Sequence, residues 1–381
     1  MINEILNKFS ALKNKDTYKA INYKVLIATL VLLVFGIIIV FSATSYIAEI
    51  TYDDRYFFVK KQILGGILGI VALSFTYLTD YHVYSKYKNW FLIGAIILLL
   101  LVFIPGIGVE NNGAKRWIGL PGFTIQPSEI AKFSFVVFAA AYLAKNFDVV
   151  RTFKGMLPVL LAGGFICLLI LLQPNFSITL CVGMVTLIML FVGGSSLKHF
   201  ILMGLAAVPL VPALIIMEPY RVKRLVAFIN PWASPQAEGY QLIQSFFALG
   251  GGGLFGVGLF NSRQKFLFLP FAESDFIFSI IGEELGFAGA FLLLLVFAFL
   301  IINSIKIAYN TLDRFGCYLA TGIISVIATQ VLINIAVVTG SIPPTGVPLP
   351  FISSGSTALI VFMASIGVLL NIHKQSYMQS K

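Results

Sequence analysis

The chain has 381 residues, 59% of them hydrophobic and only 11% charged, with a net charge of +10 and a mean hydropathy of +0.94. A soluble domain runs near half apolar with about a quarter of its residues charged, so a soluble globular fold is excluded. Many apolar runs of 18 or more residues remain, each long enough to cross a bilayer, and the fold class is all-α: a polytopic helical membrane protein.

In chain order, a polar segment over 1–22 reads as a cytoplasmic tail, and the first apolar run after it is too long for a cleaved signal core. Ten spans follow, at 24–47, 58–78, 89–104, 127–144, 155–172, 177–193, 199–217, 276–305, 315–339 and 354–372. Residues 1–381 then form a single transmembrane domain with outer loops at 105–126 and 218–275 and both termini cytoplasmic. With the N-terminus inside, 15 of the 26 Lys and Arg residues lie on inner segments or at the inner ends of spans, ten on outer segments or at outer ends, and Lys132 deeper within a span. The inner segments are shorter in total, so this orientation satisfies the positive-inside rule. Cys167, Cys181 and Cys317 all fall in apolar runs and read as buried hydrophobes, and the three histidines make no metal-ligand pattern. No cofactor motif is present, and nucleic acid is not expected as a partner.

Seven of the ten outer cations sit in the two long outer loops, against the usual bias. They suggest an anionic ligand there, with phospholipid headgroups as the plainer alternative. The first loop, "PGIGVENNGAKRWIGLPGFTIQ", carries Lys115 and Arg116 and leads into "QPSEIAK". Pro127 suits the first helical position and Glu129 the first turn, where a carboxylate meets the positive end of the dipole. Lys132 is three residues on, on the same face, so a local ion pair is one reading. A lysine one turn inside a span is costly, and its depth also marks it as a functional candidate.

The second loop opens "MEPYRVKRLVAFINPW", with Arg221 and Arg224 three apart and suited to phosphate. Tyr240 to Leu249 is amphipathic enough to lie in the interface or dip into it. The glycine-rich 250–258 has neither GK[ST] nor a preceding strand, and reads as backbone flexing near the membrane surface. Lys265 adds a cation. Then comes "AESDFIFSIIGEE", with four acids in residues 272–284. Asp275 stands at the mouth of the eighth span, where an N-cap is the plainer role. Glu283 and Glu284 lie two to three turns deeper and are expected to face a protein-lined site. Gly282, Gly286 and Ala290 form a small-residue ridge for close helix packing. A carboxylate ringed by cations is suited to act as a general base beside an anionic leaving group.

Four ordered motifs carry a resemblance over nearly the whole chain: "NGAKRWIGLPGFTIQPSEIAK", "PYRVKRLVAFINPW…GYQLIQSFFALGGGGLFGVGL…QKFLFLP", "SDFIFSIIGEELGFAG" and "NIAVVTGSIPPTGVPLPFISSGSTALI". The chain resembles the SEDS family (shape, elongation, division and sporulation), the FtsW/RodA/SpoVE group, leaning to its division and sporulation members. The resemblance implies a peptidoglycan glycosyltransferase that polymerises lipid II at the outer face of the cytoplasmic membrane. It implies a class B penicillin-binding protein as partner, together with other division or elongation proteins. Asp275 inherits the family's essential aspartate. The implied substrate-binding positions are Lys115, Arg116, Gln126, Ser128, Glu129, Lys132, Arg221, Arg224, Gln264, Lys265, Glu283 and Ser353. Whether a divalent cation bridges the pyrophosphate stays open. Three positions depart from the family pattern: Glu273 where a histidine is common, "PNFS" (174–177) for a "PDLG"-type turn, and "SSGS" (353–356) for "SYGG". The added acid at Glu273 is expected to raise the proton affinity of Asp275.

Two other readings compete. A lipid II flippase or other lipid-linked sugar transporter would show internal repeats and helices broken at the midplane, and no repeat is visible. A non-catalytic scaffold would tolerate Asp275→Asn.

Overall fold

The computed structural model describes residues 21–111, 114–120, 123–217 and 219–379. In chain order its helices are α1 (Tyr23–Tyr52), α2 (Phe57–Leu78), α3 (His82–Lys86), α4 (Lys88–Leu101), α5 (Pro127–Lys145), α6 (Phe153–Leu172), α7 (Phe176–Val192) and α8 (Leu197–Ile216). After these come α9 (Pro219–Ile229), α10 (Tyr240–Gly252), α11 (Ile277–Asn310), α12 (Arg314–Val338) and α13 (Ser356–Gln379). Each of the ten expected spans coincides with one of these helices, and among the described residues seven helices are long and apolar enough to cross a membrane by length and composition. Side-chain caps set several starts. Asn22 accepts from Val25 N–H at 3.3 Å, Thr152 from Gly155 at 3.2 Å, Asn175 from Ile178 at 3.3 Å and Asp313 from Gly316 at 2.8 Å. Pro127 opens α5, where its missing N–H costs no hydrogen bond.

The connection between α4 and α5 is more than a loop. It holds three antiparallel strands, β1 (Gly108–Asn111), β2 (Ala114–Leu120) and β3 (Phe123–Ile125), with Gly108 opposite Ile118 and Ile118 opposite Ile125. Alternation along β2 puts neighbouring side chains on opposite faces. Lys115 is exposed and Arg116 half-buried. The sheet caps the end of the bundle at which α5 and α11 begin.

Helix α11 is broken. Gly286 has φ 67° and ψ −170°, which splits the helix just after Glu283 and Glu284. The backbone groups freed by the break are taken up by the glycine-rich segment after α10. Val257 and Gly258 N–H donate to the carbonyls of Glu283 and Glu284, each at 3.0 Å. Phe287 and Ala288 N–H donate to Gly253 and Leu254 at 2.9 and 3.0 Å. The approach is so close that a Cβ on Gly256 would lie 2.1 Å from the Glu284 carbonyl oxygen, and one on Gly252 would lie 2.0 Å from that of Gly282. The expectation of flexing backbone at 250–258 is therefore corrected at two positions: Gly252 and Gly256 are packed against α11, while a Cβ on Gly250, Gly251 or Gly253 would meet nothing within 4 Å. Gly286 likewise belongs to the break and not to a ridge. Beside it, Phe260 meets Phe41 and Phe266 meets Tyr46 of α1 edge-on, at 5.8 and 4.8 Å.

Between α12 and α13 the chain again enters the bundle. A Cβ on Gly36 of α1 would lie 2.6 Å from the Phe351 carbonyl oxygen, and Val347, Leu349, Phe351 and Ile352 are all buried. Irregular backbone at membrane depth is tolerated where protein encloses it, and both segments meet that condition. α13 returns against α2, where Gly69 meets Met363 and Thr76 Oγ1 donates to the Ala364 carbonyl at 2.7 Å.

Candidate active site

Asp275 lies two residues before α11 and is half-buried. The segment between α12 and α13 forms its walls. Ser353 Oγ donates to the Ser274 carbonyl at 2.6 Å and accepts from Leu349 N–H at 2.7 Å, while Ser354 N–H donates to the Glu273 carbonyl at 2.9 Å. Asn334 on α12 uses one amide nitrogen twice, donating to the carbonyls of Asp275 at 2.8 Å and Val347 at 2.7 Å. Gln62 of α2 donates to the Ser353 carbonyl at 3.4 Å.

Burial pushes the Asp275 carboxyl up to about 6, and the Glu273 carboxylate pushes the same way. The charges of Arg116 and Arg224, and a hydrogen bond with Ser274, pull it back. Burial also raises Glu273. The expected direction of the Glu273 effect is thus found, second in size to desolvation. An acid poised near neutrality with two guanidinium groups in electrostatic reach is suited to take a proton next to a developing negative charge. Arg224 Nη1 donates to the Pro344 carbonyl at 3.0 Å. Arg116 Nε donates to the Gln173 carbonyl at 3.3 Å, and its Nη2 to that of Pro174. β2, α9 and the α6–α7 turn therefore converge on one acid.

The other expected site residues divide into two enclosed clusters and a remainder. Lys132 is buried, 2.9 Å from Glu129, bonded to Gln330 Oε1 and 5.5 Å from the Phe362 ring centre. The local ion pair is realised, and its ammonium is held inside the protein instead of facing an open mouth. Gln330 also donates to the Pro348 carbonyl at 3.3 Å, which connects the pair to the segment around Asp275. Lys265, Glu283 and Glu284 belong to the break in α11. Lys265 Nζ sits 3.2 Å from Glu284 and 3.3 Å from Ser42 Oγ, and Ser42 donates to Glu284 at 2.5 Å. Glu283 accepts from Ser262 Oγ, from Arg263 N–H at 3.0 Å and from Gln264 N–H at 3.3 Å. These acids do reach a protein-lined site, as expected, but the chain's own loop fills it. Lys265 and Glu283, expected to bind substrate, thus have their partners within this cluster.

In the remainder, Gln126 N–H donates to Thr357 Oγ1 at 3.4 Å. Ser128 is buried, with no partner for its hydroxyl among the described residues, and Gln264 Oε1 is likewise unpartnered. The side chain of Arg221 lies outside the described residues. Among the described residues, no three His, Cys, Asp or Glu side chains gather as metal ligands.

Asn334, Gln330, Gly346 and Ser177 are the participants that sequence reasoning passed over. Gln330 and Asn334 carried a signal: two carboxamides one turn apart in the apolar run "ATQVLINIAVV". Ser177 was visible only as a departure from the family turn.

A multi-pass helical membrane protein with a poised, cation-flanked acid at one end is the class that fold and site define. The family model described as "Cell cycle protein", that of FtsW, RodA and SpoVE, matches residues 23–378, and the chain belongs to this family. Stage V sporulation protein E of Bacillus subtilis (strain 168) is 42% identical over 352 residues, covering 92% of this chain and 96% of the relative. A protein named "Probable peptidoglycan glycosyltransferase FtsW" of Geobacter sp. (strain M18) is 40% identical over 349 residues, covering 91% and 95%. Among solved structures, a chain from a peptidoglycan synthase complex that coordinates polymerization and crosslinking has TM-score 0.78 at 24% identity, with 94% of this chain and 98% of that chain covered. The rod shape determining protein RodA of Thermus thermophilus has TM-score 0.70 at 23% identity, with the same coverage of 94% and 98%. At these identities the two structures support the fold.

Proposed function

We propose that the chain is a peptidoglycan glycosyltransferase that polymerises lipid II at the outer face of the cytoplasmic membrane, working with a class B penicillin-binding protein. The observation that carries the mechanism is the setting of Asp275: a half-buried carboxyl just before α11, walled by 344–354, with Glu273, Arg116 and Arg224 in electrostatic reach. The Asp275 carboxylate takes the proton of the acceptor sugar's 4-hydroxyl. That oxygen forms the new bond to the donor's anomeric carbon with inversion, and the bond from that carbon to the pyrophosphate breaks. Undecaprenyl pyrophosphate leaves with the electron pair, its charge met by Arg116 and Arg224.

The reading is tested by polymerisation of fluorescent lipid II by purified protein, alone and with a class B partner, against Asp275→Asn. A ladder of glycan products from the parent that vanishes in a folded, partner-binding variant is the expected result. Equal ladders from both would exclude Asp275 as the base. Adding EDTA to the same assay reports whether a divalent cation takes part.

The broken helix α11 is a feature that transporters also use. Here the break is closed by hydrogen bonds from 253–258, and Lys265 pairs with Glu284 beside it, so no open midplane site arises from it.

A further inference from the structure

We infer that Ser177 and Gly346, with Asn334, are positioning residues that fix where the Asp275 carboxylate points; the inference rests on the reading of Asp275 as the base. Gly346 stands against that carboxylate. A Cβ placed on it would lie 2.7 Å from Asp275 Oδ2 and 3.4 Å from its Cγ. Atoms that close must separate, so the carboxylate occupies the space any other residue's side chain would fill. Gly346 has no left-handed backbone angle. Space is therefore what demands glycine here, and an alanine is accommodated by moving the free end of Asp275.

Gly346 is held in place from two sides. Its N–H donates to Ser177 Oγ, in the first turn of α7, at 2.9 Å. The next residue's carbonyl accepts from Asn334 Nδ2 at 2.7 Å, and the same nitrogen donates to the Asp275 carbonyl at 2.8 Å. A single carboxamide thereby ties the backbone carrying the acid to the wall beside it. Ser177 and Asn334 are 6% and 1% exposed, so neither bond has water as a ready substitute. Burial and the other charges around the carboxylate, Glu273, Arg116 and Arg224, act on its proton affinity; the clamp sets its direction.

The test is steady-state polymerisation of lipid II by the full chain with its partner, across the acid limb of the pH profile. The variants are Gly346→Ala, Ser177→Ala, Ser177→Thr and Asp275→Asn. Gly183→Ala is the control: it lies on the same helix as Ser177, and an added Cβ there meets nothing within 4 Å. Gly346→Ala is expected to lower kcat about 10²-fold with KM within about threefold, the cost of a misplacement near 1 Å. Its acid limb moves to higher pH, because the methyl group displaces water from Oδ2 and disfavours the charged form. Ser177→Ala lowers kcat about tenfold, Ser177→Thr restores it, and the control matches the parent. Parent-like kcat and acid limb in both Gly346→Ala and Ser177→Ala, with Asp275→Asn inactive, would overturn the clamp and leave the base standing. So would losses that track only a lowered melting temperature and are not restored by threonine. An active Asp275→Asn would instead remove the reading on which the clamp rests.

Discussion

Asp275 and Glu273 are two residues apart, and their proximity is a chemical setting as much as a structural one. Desolvation and the neighbouring acid both hold the proton on Asp275 more tightly, bringing the carboxyl up to about 6. A base must be ionised to act, so the polymerisation rate is expected to rise with pH through this value and level off above it. Glu273→Gln removes a negative charge, lowers the proton affinity of Asp275 and shifts that limb to lower pH. Rates measured across the limb check it; an unmoved limb would mean that the Glu273 charge does not reach the acid. The sequence showed the acid, its neighbour and the direction of their coupling. It did not show that Lys132 and Lys265 are enclosed. Lys132 meets Glu129 and Gln330, and Lys265 meets Glu284 and Ser42. The partners Gln330, Glu284 and Ser42 come from other helices, and helix-to-helix register cannot be read from local spacing.

At the scale of elements, every expected span became a helix because long apolar runs with polar caps leave the backbone no other way to bond within a membrane. The connections were less legible. The three strands of the sheet are short, too brief for a period-two pattern to stand out. A residue lacking a side chain serves flexibility and close approach equally well, so the roles of Gly252 and Gly256 were not legible. Here close approach decides. Gly256 has φ 81° and sits against the Glu284 carbonyl, so Gly256→Ala meets both a strained backbone angle and a collision. The variant is expected to lose about 1–3 kcal/mol of stability, read as a lowered unfolding midpoint in detergent. A parent-like midpoint would mean that the segment yields easily.

For the whole molecule, the distribution of lysine and arginine sets a direction, and the fold gathers the β-sheet, α9 and Asp275 at one end. Cysteines introduced at exposed Gln236 and exposed Tyr309 lie at opposite ends of the bundle by the order of its helices. A membrane-impermeant thiol reagent applied to intact cells is expected to label Gln236→Cys and spare Tyr309→Cys; the reverse pattern would invert the orientation. The native cysteines are buried or half-buried, so their background labelling is low.

The two irregular segments within the bundle also impose an order of assembly. The break in α11 is closed by residues 253–258, made before the helix itself, so that half of the molecule can settle as it is synthesised. The walls around Asp275 come from 344–354, made after α12, and are carried back into the bundle as α13 docks on α2. A nascent chain that stops short of α13 would already have its acid, its cations and Asn334, with the wall at 344–354 not yet held against them. The geometry around Asp275 is therefore complete only once α13 has docked.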